Sequence, residues 1–471
     1  MVFSSLIFLY LFLPFCLLTV WLARKTSTQN AILLVCSLFF YAWGEPIYVL
    51  LMIATSFIIW LSSFFLNRSR TKEQKRLWLI IAVVTALSSL GYFKYAGFFV
   101  EILNVIPYVN IKVPSISLPI GISFYTFQAL TYIIDLYRGE IEMQRSYPRF
   151  LLYVTLFPQL IAGPIVRYAD VEEQLSNRRM TLDGIVSGIG RFLVGLSKKV
   201  LIANYAAEIV EICLESDHFE QISTATAILG IIASAIQIYF DFSGYSDMAI
   251  GLGHMFGFHF LENFNYPYVS STMTELWRRW HISLGTFFRD YLYIPLGGSR
   301  HHRLRNTFII WFLTGLWHGA GINFVAWGLY HFVVLQIERK FILPIESRIP
   351  KFVGRILTMI AFIFGLAIIY FTEPARFFTF MGRLFAPGLA GFADVDAQIL
   401  WKQHLVFIVL SFIFSMPVLP WLKKKLKRPI RYIACSRIGA FVQPFVVASL
   451  LLVSTASLVA SSYNPFIYFR F

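Results

Sequence analysis

Charged residues are scarce in this sequence: Asp, Glu, Lys and Arg make up 14% of its 471 residues, whereas soluble domains carry about a quarter. Hydrophobic residues make up 58%, and the mean hydropathy is +0.67. Apolar stretches recur along nearly the whole chain. The composition therefore excludes a soluble protein. It predicts an all-α, polytopic integral membrane protein with about eleven to thirteen membrane-embedded helices, each of about 20 largely apolar residues, in one domain over residues 1–471.

Cysteine is also scarce, and the motifs of several enzyme classes are missing. Without a CxxC pair, the cysteines predict small buried side chains and no disulfide framework or metal site. The four are Cys16, Cys36, Cys213 and Cys435. The sequence has no GxSxG, HExxH or Walker A motif, which argues against serine hydrolases, zinc proteases and nucleotide-binding loops. What remains is a histidine-centred site with no obvious protein nucleophile.

Acidic residues are fewer than basic ones, 25 against 40, which gives a formal net charge of +15. In a soluble protein this excess would suggest nucleic acid, but here cytoplasmic loops and anionic headgroups explain it, so we expect membrane lipids and no nucleic acid as partners. Basic connectors occur at Arg24–Lys25, Asn67–Arg76 and Lys423–Arg428. The positive-inside bias predicts that they face the cytoplasm and that the N-terminus lies outside.

Two histidines stand out in residues 274–331. His318 lies in the apolar run WFLTGLWHGAGINF, about 12 residues after a basic loop, which at about 1.5 Å per residue predicts a depth of about 18 Å, near the membrane midplane. Small neighbours would let a helix or a substrate approach the imidazole; they are Gly315, Gly319, Ala320 and Gly321. Two interpretations stay open: a catalytic imidazole, or a structural one bonded to a group such as Thr314.

His281 lies in the Trp/Arg-rich run LWRRWHISLGTFFRD. This composition is typical of a segment that anchors a helix at the membrane interface. Alternatively the segment dips inward, where guanidinium groups could hold an anionic donor. The candidate substrate-binding residues around it are Trp277, Arg278, Arg279, Trp280, Arg289 and Asp290. A neutral imidazole near pH 7 can take a proton from a hydroxyl group that attacks an activated acyl group. We expect His301 to be solvated and His331 to be structural.

Three acidic residues interrupt apolar stretches: Asp135, Asp241 and Asp247. Such residues are costly in lipid and usually face a bundle interior. They leave open a second class of function, a multi-pass transporter or flippase of a lipid-linked sugar or acyl carrier. A transporter predicts internal sequence symmetry, and the sequence contains no recognisable repeat. A third class, a structural subunit of a secretion complex, would leave the histidines dispensable.

The segments WRRWHISLGTFFRDYLYIPLGG and GLWHGAGINFVAWGLYH resemble the membrane-bound O-acyltransferase family, MBOAT. Upstream, PIGISFYTFQALTYIIDLYRG, FPQLIAGPIVRY and YFDFSGYSDMAIGLG are similar to other blocks of that family, so the resemblance covers nearly the whole chain. The start MVFSSLIFLYLFLP, the run FYAWGEP and the end YNPFIYFRF are most similar to the bacterial branch that contains alginate O-acetylases.

The resemblance implies membrane helices around a central tunnel, in which an acyl donor and an acceptor meet from opposite faces. It implies that His318 is catalytic and that His281 occupies a second polar position of the site, and we add Trp317 and Asn323 as candidate substrate contacts. The implied donor is acetyl-CoA or another acyl thioester, a substrate rather than a bound cofactor. The implied partners are a periplasmic or membrane-anchored acetyltransferase and a polysaccharide acceptor, at the bacterial inner membrane.

Overall fold

The computed structural model describes residues 1–161, 163–216, 219–385, 391–425 and 437–460. Within these residues every regular element is helical and no strand occurs, which confirms the predicted all-α fold class. Cys16, Cys36 and Cys213 are buried, as predicted. Cys435, part of the last basic connector and the C-terminal run YNPFIYFRF lie outside the described residues.

The helices are numbered in chain order. In the first half they are α1 (Leu13–Leu22), α2 (Thr26–Ala42), α3 (Tyr48–Arg68), α4 (Lys72–Asn104), α5 (Ile122–Arg138), α6 (Tyr147–Thr155), α7 (Phe157–Leu160), α8 (Tyr168–Asn177), α9 (Leu182–Ser197) and α10 (Asn204–Leu214). In the second half they are α11 (Thr224–Met255), α12 (Met273–Arg279), α13 (Ile282–Phe288), α14 (Arg303–His318), α15 (Ile322–Ile337), α16 (Lys351–Tyr370), α17 (Pro374–Phe385), α18 (Val395–Ser415), α19 (Val418–Lys425) and α20 (Arg437–Ala460).

Five helices of the described chain, α3, α4, α11, α16 and α18, are long and apolar enough to cross a membrane. Shorter apolar helices occur at Phe8–Leu22, Thr26–Ala42 and Pro444–Ala460. Helix α11 has 78% of its most apolar window buried inside the protein, against 17% for α4. Helix α11 is therefore a core helix, whereas α4 presents most of its apolar surface outward. The total of eleven to thirteen embedded helices stays a prediction, as does the central tunnel.

The chain divides into two compact units, and the predicted single domain stays a prediction. The first unit comprises Met1–Phe192, Tyr245–Glu262 and Thr286–Leu296. Two of the predicted membrane acids lie here, and both are buried. Asp135 accepts a hydrogen bond of 2.7 Å from the hydroxyl of Tyr291, and Asp247 forms an ion pair of 2.6 Å with Arg191. Both acids thus face polar partners inside the protein, where a carboxylate costs less than in lipid.

The second unit comprises Leu193–Gly244, Asn263–Gly285 and Gly297–Phe471. Helices α14 and α15 cross at Gly315 and Gly328, where a Cβ atom on Gly315 would lie 3.4 Å from the Cα of Gly328. Glycine is needed at this crossing because it lets two backbones approach closely. The third predicted membrane acid, Asp241 on α11, forms a buried ion pair of 2.8 Å with Lys199.

Candidate active site

His318 is the last residue of α14, at the tip of a helical hairpin. Residues 319–321 form the turn, and α15 begins at Ile322. Each helix has 16 residues, which corresponds to about 24 Å, less than the hydrocarbon core of about 30 Å. The predicted depth of His318 near the membrane midplane stays a prediction. The hydroxyl of Thr314, considered above as a partner of His318, donates to the carbonyl of Ile310 at 2.7 Å.

A small cavity, here called the His318 cavity, borders the imidazole. Its volume is about 30 Å³. It is lined by Ile238, Phe242, Trp277, Trp280, His318, Trp327, Phe362, Leu366 and Ile369. None of these side chains is charged, and five of them are Phe or Trp. The predicted residues Trp277, Trp280 and His318 therefore meet in one place, walled by α11, α12, α15 and α16.

His281 is held in a fixed orientation by two polar residues. It lies between α12 and α13 with φ at +46°, and its side chain is buried. Its Nδ1 lies 3.2 Å from Oδ1 of Asn263. That oxygen also accepts from the backbone N–H of Ser283 at 3.2 Å and from its hydroxyl at 2.9 Å. The backbone N–H of Ser283 can only donate, which identifies the Asn263 atom beside it as the carbonyl oxygen Oδ1. This oxygen can only accept, so Nδ1 of His281 carries a proton and donates it to Oδ1.

This tautomer leaves Nε2 of His281 with a lone pair in the neutral imidazole. Nε2 is buried and has no hydrogen-bond partner among the described residues. The His281 ring contacts Phe242, a wall of the His318 cavity, with ring centres 4.7 Å apart. It also contacts Trp317 at 5.7 Å, and Trp317 contacts His318 at 4.9 Å. The two predicted histidines thus both contact the indole ring of Trp317.

Arg278 and Arg279 line a different and larger space, here called the polar cavity. Its volume is about 660 Å³. It is lined by Val269, Ser271, Thr272, Thr274, Glu275, Arg278, Arg279, Leu343, Glu346, Lys351 and Arg355. Arg279 is paired with Glu275 at 2.9 Å, and Arg355 donates to the carbonyl of Val269 at 3.0 Å. Four basic and two acidic side chains give the lining a net positive charge, so the cavity suits an anion.

Known proteins match this chain along its length. A family model described as the membrane-bound O-acyltransferase family matches residues 138–380, just over half of the chain. The chain belongs to the membrane-bound O-acyltransferase family. It is therefore a multi-pass membrane protein and an O-acyltransferase, and the resemblance inferred from its motifs is confirmed.

Individual members of the MBOAT family are similar over most or all of the chain. A protein of Pseudomonas putida named probable alginate O-acetylase AlgI is 38% identical, and the alignment covers all of both chains. A protein of the same name from Pseudomonas aeruginosa is 44% identical over 78% of this chain and 72% of its own. A peptidoglycan O-acetyltransferase of Helicobacter pylori is 34% identical over 72% of this chain and 71% of its own.

Three other predicted substrate contacts of this acyltransferase, Asn323, Arg289 and Asp290, have polar partners of their own in the described chain. Asn323 donates from its side-chain amide to the carbonyl of Ile369 at 3.0 Å, and so joins the start of α15 to the end of α16. Arg289 and Asp290 belong to the first compact unit, where they pair with each other at 2.6 Å. Asp290 also pairs there with Arg167 at 3.5 Å. Substrate contacts by these residues stay predictions.

Sequence reasoning missed Asn263 and Ser283, which orient His281. Asn263 belongs to none of the motifs, and Ser283 lies in the Trp/Arg-rich run but was not singled out. Asn263 is 18 positions from His281 in sequence, and only the fold brings the two together. His331 was assigned a structural role, and it is fully buried against Trp277 and Trp327, at 4.8 Å from each ring centre. Both ring nitrogens of His331 are buried and have no hydrogen-bond partner among the described residues, so its structural role stays a prediction.

Proposed function

We infer that this O-acyltransferase moves an acetyl group from a cytoplasmic thioester donor across the membrane for O-acetylation of an exported or cell-wall polysaccharide, with His318 as the catalytic residue. The names of its relatives contain two polysaccharides, alginate and peptidoglycan. Alginate is the first candidate because the Pseudomonas putida relative named for alginate matches the full chain. The observation that carries the proposal is the His318 cavity, a mostly apolar space with an imidazole in its wall.

His318 would act as general base. It takes the proton of the acceptor hydroxyl while that oxygen attacks the thioester carbonyl carbon; the C–O bond forms, the C–S bond breaks, and the thiolate leaves and is protonated. A second route has His318 itself accept the acyl group before the hydroxyl attacks. The apolar walls favour either route because they exclude water, which would otherwise hydrolyse the thioester.

His281 would serve on the donor side of the same site. Its Nδ1–H bond to Asn263 orients the ring and leaves Nε2 as the ring nitrogen available for proton exchange. In the neutral imidazole, Nε2 accepts a proton. In the protonated imidazolium, Nε2–H donates its proton to the leaving thiolate. The left-handed backbone of His281 supports this role, because strained non-glycine residues of this kind concentrate at functional sites.

The polar cavity would hold the phosphate groups of acetyl-CoA. Its basic lining includes Arg278 and Arg279, and guanidinium groups bind phosphate in bidentate fashion. It lies where α15 ends and α16 begins, the same end of the α14–α15 hairpin as the basic loop at 299–303. With that loop in the cytoplasm, the protein sits in the bacterial inner membrane with its N-terminus outside. The acceptor side would then face a periplasmic or membrane-anchored acetyltransferase partner.

The transporter alternative loses its main support in this structure. The three acids that could couple protons are engaged with Tyr291, Lys199 and Arg191, and membership of an O-acyltransferase family points to bond chemistry.

The proposal is tested with purified protein, radiolabelled acetyl-CoA and an alginate oligosaccharide, with and without the partner acetyltransferase. Release of CoA and transfer of label by the wild type, lost in His318→Ala, is the expected result. His301→Ala is the matched control, because His301 is exposed in the basic loop. Label that stays on the protein with donor alone, and not in His318→Ala, would identify the acyl-enzyme route. Unchanged transfer by His318→Ala would refute the assignment.

A further inference from the structure

The His318 cavity is small. Its volume of about 30 Å³ compares with about 10–15 Å³ for the smallest space that holds a water molecule, and with about 150 Å³ for an engineered core cavity that takes up benzene. The space is therefore sufficient for the methyl end of a two-carbon acyl group. A chain of four or more carbons would need space that this volume does not contain.

The walls of the cavity are packed tightly against one another. Phe362 contacts Trp280 with ring centres 5.3 Å apart, and Trp277 contacts Trp327 at 5.6 Å. On α16, a Cβ atom on Gly365 would lie 2.8 Å from Nε2 of His331, so this helix has no room to shift toward α15. Added methylene groups are costly in such close-packed surroundings, because they force side chains and backbone to move.

The chemistry of the lining matches an alkyl group beside a reacting carbonyl. His318 is the one titratable side chain in it, and the other side chains are aliphatic or aromatic. A carbonyl carbon attacked beside the imidazole would therefore have its alkyl substituent directed into apolar surroundings. Leu366 and Ile369 close this space from α16 and are both buried.

We propose that the His318 cavity receives the alkyl part of the acyl group and limits the donor to acetyl thioesters, with Leu366 and Ile369 as two of the residues that set the limit. This inference rests on the proposed function, because it takes His318 as the residue beside which the acyl group is transferred. It assigns specificity to named side chains, which neither the motifs nor the relatives do.

The experiment compares transfer from acetyl-CoA, butyryl-CoA and hexanoyl-CoA by the wild type, Leu366→Ala and Ile369→Ala. The wild type is expected to use acetyl-CoA at least about tenfold better than butyryl-CoA, since an extra methylene in a tight apolar pocket changes rates about 10- to 200-fold. Each alanine variant is expected to raise the butyryl-to-acetyl ratio at least about tenfold. Ile360→Ala, at an exposed position of the same helix, should keep the wild-type ratio.

The ratio is measured within one preparation, so partial misfolding lowers both rates and leaves the ratio unchanged. Equal use of the three donors by the wild type would overturn the inference, as would wild-type ratios in both cavity variants. These outcomes differ from a failure of the proposed function. In that case no acyl group is transferred from any donor, or His318→Ala transfers as fast as the wild type.

Discussion

Replacing Asn263 by leucine tests how far catalysis depends on the orientation of His281. The two side chains have similar volume, but leucine has no acceptor. The change therefore removes all three hydrogen bonds to Oδ1: from the backbone N–H of Ser283, from its hydroxyl and from Nδ1 of His281. Asn263 and His281 are both buried, so water does not readily replace the lost acceptor.

The magnitude follows from these contacts. Three hydrogen bonds at about 0.5–1.5 kcal/mol each give a loss of about 1.5–4.5 kcal/mol. The left-handed backbone of His281 adds to the effect, because such conformations cost about 1–3 kcal/mol and persist only where surrounding contacts hold them. Release of this strain would move the imidazole, and a displacement of about 1 Å costs about 10²-fold in rate.

The assay is steady-state acetyl transfer together with thermal unfolding in detergent. Asn263→Leu should lower kcat about 10²-fold with little change in the KM for acetyl-CoA, since the polar cavity is untouched. Asn263→Asp is the control: it keeps an acceptor oxygen in the same place and should recover most of kcat. A wild-type kcat in Asn263→Leu, or equal losses in both variants, would refute the reasoning.

Three further predictions concern stability and donor binding. Asp241→Asn breaks the buried pair with Lys199 and should destabilise the protein by about 3–5 kcal/mol, measured as a lower midpoint of thermal unfolding. Gly328→Ala places a Cβ atom against a carbonyl of α14, so both stability and kcat should fall, whereas Gly190→Ala, with nothing within 4 Å of the added atom, should leave both unchanged. Arg278→Ala should raise the KM for acetyl-CoA several-fold with kcat nearly constant, as expected for loss of uniform binding.

Each of these predictions has an outcome that contradicts it. An unfolding midpoint of Asp241→Asn equal to that of the wild type would mean that the ion pair adds nothing. Gly328→Ala and Gly190→Ala behaving alike would remove the argument from close helix contact. A fall in kcat without a change in KM in Arg278→Ala would place that residue at the chemistry instead of the donor site. Arg300→Ala, in the exposed basic loop, controls for loss of a positive charge.

Composition and the recurring apolar stretches were sufficient to predict the membrane class and the all-α fold. The cost of exposing polar backbone in lipid restricts which structures can span a membrane. The two histidines could also be singled out from sequence. Titratable groups in apolar surroundings are costly and so mark a site. The flanking glycines predicted a close approach of helices, and Gly315 meets α15 as expected.

The surroundings of the site could not be predicted from the sequence. Phe242, Phe362 and Ile369 reach the His318 cavity from α11 and α16, and their apolar spacing is the same as that of any buried helix face. Arg289 and Asp290 were grouped with His281 because they are near it in sequence. They belong to the first compact unit and His281 to the second, and substrate contact by Arg289 and Asp290 stays a prediction.

The central claim is that His318 performs the chemistry. The most direct test is the initial rate of acetyl transfer by the His318→Ala variant, measured on protein whose unfolding midpoint equals that of the wild type. General base catalysis contributes about 10²–10⁴-fold, so the rate should fall by at least about 10²-fold, while His301→Ala keeps the wild-type rate. A His318→Ala rate within about threefold of the wild type, far inside the range that a general base supplies, would contradict the account.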